Sequence, residues 1–115
     1  MTLATQEQTV IDAVPKQLYI GGEWRDGEGG RTIPIEDPAT GETLCEVADA
    51  QPADAMAALD AACQAQREWA RHPPRERGEI LRRAFEAIVA RKDELALLMT
   101  LEMGKPLSES LAEIT

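Results

Sequence analysis

Histidine, cysteine and aromatic side chains are scarce in this chain, and each shortage removes a chemistry. The 115 residues hold one histidine, two cysteines and four aromatic rings. His72 stands alone before Pro73-Pro74 in a predicted loop, so no histidine pair can hold a metal, and it reads as a solvated loop residue. Cys45 and Cys63 have neither CxxC spacing nor a neighbouring histidine, and no signal peptide precedes them. They read as free thiols of a cytoplasmic protein, Cys45 packed in a strand and Cys63 as a small core residue of a helix. Neither GxGxxG nor GxxxxGK[ST] occurs, so no phosphate-cradling loop is in evidence. No apolar run approaches the about 20 residues of a membrane span.

Positive charge is also short. Twelve basic against 21 acidic residues give a net charge of −9. Such a surface repels phosphate backbones and anionic membranes, which excludes nucleic acid and lipid head groups as partners. Residues 67–92 reverse the balance, with eight basic to four acidic groups, and read as a solvated helix face. Apolar residues make up 43%, but 18 of them are alanine, and Leu, Ile, Val and Phe together number 23. The core this allows is thin. The chain by itself is expected to melt low and broadly, or to associate through uncovered helix faces.

What is present is well punctuated. Residues 1–15 are polar, end at Pro15 and read as a flexible leader. Leu18-Tyr19-Ile20, Gly21-Gly22 and Glu23-Trp24-Arg25 spell a tight hairpin. Asp26 to Gly30 is glycine-rich but acidic, with no lysine or helix behind it, and reads as a surface connection. A second hairpin runs from Thr32 to Ala48, turning at Asp37-Pro38-Ala39-Thr40-Gly41, with Pro34 confined to an edge. β-hairpins therefore occupy 17–48. Beyond Pro52 the apolar period lengthens to that of a helix. Helices are predicted at about 52–71 (stripe Ala55, Leu59, Ala62, Ala65, Trp69), 75–91 (Leu81, Phe85, Ile88), 93–103 (Leu95, Leu98, Met99, Met103) and 106–115 (Leu107, Leu111, Ile114). Gly104-Lys105-Pro106 stops the third. The fourth is still running when the sequence ends, which predicts an incomplete fold.

Four segments in order carry a resemblance. They are Leu18-Tyr19-Ile20-Gly21-Gly22-Glu23-Trp24, Asp37-Pro38-Ala39-Thr40-Gly41-Glu42, Pro74-Arg75-Glu76-Arg77-Gly78-Glu79-Ile80-Leu81 and Leu101-Glu102-Met103-Gly104-Lys105-Pro106-Leu107. Over residues 16–115 the chain resembles the N-terminal part of the NAD(P)-dependent aldehyde dehydrogenases, and the segment from Thr100 to Leu107 is most similar to the succinate-semialdehyde branch.

The resemblance implies an α/β, aldehyde dehydrogenase-like fold, of which this chain covers only the N-terminal β-hairpins and first helices of the NAD(P)-binding domain. It implies a full-length, homo-oligomeric enzyme. That enzyme attacks an aldehyde with a cysteine thiolate, passes hydride to NAD or NADP, and releases the acid through a glutamate-activated water. Neither Cys45 nor Cys63 matches the family's catalytic motif, so no catalytic or cofactor-binding residue is assigned, and the chain alone is expected to be inert and to bind no cofactor. Its expected partner is the remainder of such an enzyme. One structural role carries over: carbonyls of Ile35 and Glu36 with the carboxylate of Glu102 as ligands of a monovalent cation, since oxygen donors suit a hard ion. The alternative is a free-standing helical interaction module docking through Leu107, Leu111 and Ile114.

Overall fold

The computed structural model describes residues 3–115. In order, they form α1 (Leu3–Ala13), β1 (Leu18–Ile20), β2 (Glu23–Arg25), a 3-10 turn (Glu28–Gly30), β3 (Thr32–Glu36) and β4 (Thr43–Ala48), then α2 (Pro52–Trp69), α3 (Pro74–Ala90), α4 (Lys92–Met103) and α5 (Leu107–Ile114). The strands make two separate two-stranded sheets, β1–β2 and β3–β4. Two units divide the chain. One gathers the residues up to Pro15, 34–45 and 82–115; the other gathers 16–33 and 46–81, and α3 continues from one into the other.

In the second of these units, Gly21 and Gly22 adopt φ of 62° and 86°, the pair of positive values that a two-residue hairpin turn requires. The turn sets an antiparallel register in which Tyr19 faces Trp24. Their rings stack at 4.9 Å between centroids, tilted by 44°. Helix α2 lies close by: a side-chain carbon at Gly21 would sit 3.9 Å from the Ala61 methyl. The side of α2 turned inward carries Asp54, Ala57 and Ala61, whereas Ala55, Leu59, Ala62 and Ala65 of the expected stripe are exposed. Alanine on every side of α2 leaves its sequence with little phase, so the inward face is set by what packs on it. Cys63 is exposed as well, not a core residue, and Cys45 on β4 is half-buried.

In the other unit α4 packs against both α1 and α5. Ala96 and Leu101 of α4 are buried, together with Ile11 of α1. The stripe read from the sequence differs, for Leu95, Leu98 and Met99 are half-buried and Met103 is exposed. A helix with neighbours on two sides has no single inward face, and the run from Ala96 to Leu101 is apolar almost all round. Residues 3–13 also depart from expectation. Instead of a flexible leader they form α1, which packs against α4 and has Ile11 buried.

Helix α3 is exposed on every side over residues 78–90. Leu81, Phe85 and Ile88 are all exposed, as are Ile80 and Val89 beside them.

Candidate functional site

Each unit carries a polar junction. The first is the turn between β3 and β4. The Asp37 carboxylate accepts the Ala39 N–H at 2.8 Å, and the Asp37 carbonyl accepts the Gly41 N–H at 2.7 Å. Gly41 adopts a φ of 75°, which closes the reversal. Against this turn sits the end of α4. Gly104 terminates the helix at φ 76°, its N–H bonded to the Thr100 carbonyl at 2.8 Å. A side-chain carbon there would lie 2.9 Å from Cγ of Pro38. Two segments far apart in sequence, Asp37–Gly41 and the Gly-Lys-Pro stop, thus meet at Pro38 and Gly104. Lys105 pairs with Glu113 of α5 directly after the stop.

The residues expected to hold a cation lie around this junction. Ile35 is half-buried on β3, Glu36 is exposed at the end of that strand, and Glu102 is exposed on the last turn of α4. The Glu36 carboxylate folds back toward Gly41, 4.0 Å from where a side-chain carbon would stand. Among the described residues no group of three or more His, Cys, Asp or Glu side chains converges as a metal site. A cation here would therefore rest mainly on backbone carbonyls.

The second junction centres on Asp54, which sequence reading passed over. The carboxylate, almost wholly buried, accepts the N–H of Gln51 at 2.8 Å and that of Glu28 at 2.9 Å, with the Arg25 guanidinium at 3.4 Å. The Gln51 and Glu28 hydrogen bonds, and then the positive Arg25, hold its carboxyl below the usual aspartate value, against the opposing effect of burial. The signal was the acid placed three residues after Gln51, where a capping-box carboxylate reaches back to the helix start. Gly27 is shaped by the same knot, since a side-chain carbon there would meet the Asp49 carbonyl oxygen at 2.6 Å.

This bonding decides what the glycine-rich loop can do. The Glu28 N–H is already taken by a carboxylate, and Asp26, Glu28 and Asp54 add negative charge, so the loop does not fit a nucleotide phosphate. His72 lies between α2 and α3, its Nδ1 3.2 Å from a Glu76 carboxylate oxygen, with no cysteine or serine partner in its hydrogen bonds. Of the three residues proposed to dock a partner in the alternative reading, Leu111 and Ile114 are half-buried in a helix already packed on α4, and Leu107 is exposed. Next to Leu107 runs a groove of about 590 Å³ lined by Val10, Val14, Leu95 and Leu98.

Residues 24–115 match the model of the aldehyde dehydrogenase family. The chain belongs to that family. A succinate-semialdehyde dehydrogenase of Paenarthrobacter nicotinovorans is 59% identical over 71 residues, covering 62% of this chain and 16% of its own length. Among solved structures, a betaine aldehyde dehydrogenase of Staphylococcus aureus, a double mutant in complex with NAD+, superposes with a TM-score of 0.93 at 31% identity, over 97% of this chain and 23% of its own. The succinate-semialdehyde dehydrogenase of Burkholderia pseudomallei gives a TM-score of 0.82 at 44% identity, over 85% and 20%. The chain thus spans less than a quarter of the aldehyde dehydrogenases it matches. The mixed helix-and-hairpin fold is that of the corresponding part of these enzymes. Among the described residues no helix is long and apolar enough to cross a membrane.

Proposed function

We propose that this chain forms the N-terminal part of the NAD(P)-binding domain of an aldehyde dehydrogenase that oxidises succinate semialdehyde to the acid. The observation that carries the reading is the 59% identity to a succinate-semialdehyde dehydrogenase. In the whole enzyme the nicotinamide, NAD or NADP, accepts the hydride. The residues of this chain act as scaffold: the Asp54 knot fixes the β2–β3 loop on α2, and the Pro38–Gly104 contact fixes the β3–β4 turn on α4. Neither junction supplies a nucleophile or a phosphate cradle, so the chain alone turns nothing over. The cation role of Ile35, Glu36 and Glu102 belongs to the same proposal. The Pro38–Gly104 contact supports it, because it sets the last turn of α4 beside the turn that follows Glu36.

The test is transplantation. This chain replaces the matching segment of the Burkholderia succinate-semialdehyde dehydrogenase, and NAD(P)H formation from succinate semialdehyde is followed. The chimera should keep kcat/KM within about tenfold of the parent. A soluble, assembled chimera without turnover would overturn the reading.

A further inference from the structure

The outer face of α2 carries two charges that the fold leaves unused. Met56, Leu59, Asp60, Cys63 and Arg67 recur at steps of one, three and four on the side opposite Asp54, Ala57 and Ala61, and all five are exposed. Met56 and Leu59 show 58% and 55% of their surface. Asp60 and Arg67 stand on either side of Cys63 along the same flank. Neither side chain has an ion-pair or hydrogen-bond partner among the described residues. Two turns of helix, about 10 Å, separate them, so they cannot pair within one α2.

This pattern is complementary to itself. A second α2 lying antiparallel across the face, with a two-fold axis close to Cys63, puts Asp60 of each copy opposite Arg67 of the other. Both charges of both copies are then paired. Leu59 and Cys63 fall at the centre, and the two Cys63 thiols adjoin across the axis. The face holds one charge of each sign, so it adds nothing to the repulsion expected of chains with a net charge of −9. We propose that this face of α2 is a homodimer contact, occupied by the antiparallel α2 of a second copy and held by two reciprocal Asp60–Arg67 pairs. Nothing in the contact depends on the aldehyde dehydrogenase activity. One helix face per partner makes it a weak interface, below about 1,200 Å².

Sedimentation equilibrium of the reduced chain measures the association, and diamide traps it. Two Cys63 thiols give up their hydrogens to the diamide as one S–S bond forms, and peptide mass spectrometry identifies the linked pair. Trapped dimers should be joined through Cys63 on both sides. Arg67→Asp, which sets acid opposite acid, should weaken association and slow trapping by about tenfold or more. Asp60→Arg, which sets base opposite base, should do the same. The double variant Asp60→Arg/Arg67→Asp restores the pairing and should return to within about threefold of the parent. General repulsion between acidic chains would make the two single changes act in opposite directions, and that outcome overturns the proposal. So does a chain that stays monomeric and untrapped at about 1 mM, a dimer linked through Cys45, or a double variant no better than the singles. Association abolished by Phe85→Glu but untouched by Arg67→Asp would also overturn it, assigning the contact to α3. Both charges are exposed and unpaired, so each variant should keep Tm within about 2 °C of the parent. Should Arg67→Asp lower Tm further, Asp60→Arg decides alone.

Discussion

The carboxylate of Asp54 reaches back across 26 residues to accept the backbone N–H of Glu28 at 2.9 Å. The same group caps the start of α2 through Gln51. One charged side chain thereby ties the glycine-rich loop to the first long helix. Its carboxyl titrates below the ordinary aspartate value of 3.8, with the Gln51 and Glu28 hydrogen bonds as the leading causes. A depressed folded value means that the stabilisation is fully present above the unfolded value and is lost as pH falls through the folded one. Asp54→Asn should therefore lower Tm by several degrees at neutral pH. The gap between variant and parent should close as the pH drops below 3.8. Thermal melts across that range check it, and a gap independent of pH would point to packing instead of charge.

Gly104 answers two demands together, a φ of 76° and a clearance of 2.9 Å from the Pro38 ring. Gly104→Ala should cost about 1–2 kcal/mol from the left-handed backbone alone, plus the cost of displacing Pro38. Pro38→Ala removes the Cγ in the way. In a double-mutant cycle the two changes should couple by about 0.5 kcal/mol or more. Simple additivity of the two stabilities would mean that the contact does not matter.

Much of this could be read in advance, and the boundary is instructive. Gly21-Gly22, Asp37-Pro38 and Gly104-Lys105-Pro106 are local devices: each demands a particular backbone from its own residues, so turns and helix ends were visible. Which side of a helix is buried is decided by neighbours. On α2, alanine on all sides hid the inward face of Ala57 and Ala61, and the exposed Leu59 drew the reading outward. Asp54 was hidden for a related reason, since a capping acid is readable from Gln51 but its partner Glu28 comes from another element. Helix α1 is a similar case: its polar residues suggest a solvated leader, and its packing against α4 depends on residues far along the sequence.

Ile11 is buried on a helix that packs against α4, so Ile11→Ala should destabilise the chain by about 2–4 kcal/mol. Denaturant unfolding measures it. A flexible leader would give no change in midpoint, and such a result would remove α1 from the core.

The proposed cation makes its own prediction. Crystals soaked in a heavier monovalent ion should show an anomalous peak between the end of β3 and the last turn of α4, near Glu102, and Glu102→Gln should weaken it. Absence of a peak there would count against the roles of Ile35, Glu36 and Glu102.

In the proposed function the chain is one part of a larger catalyst, with its chemistry completed by other polypeptide. The most direct measurement is NAD(P)H formation by the purified 115-residue chain given succinate semialdehyde and either nicotinamide cofactor. The predicted result is no formation above buffer at any protein concentration. Turnover that rises in proportion to the added chain would contradict it.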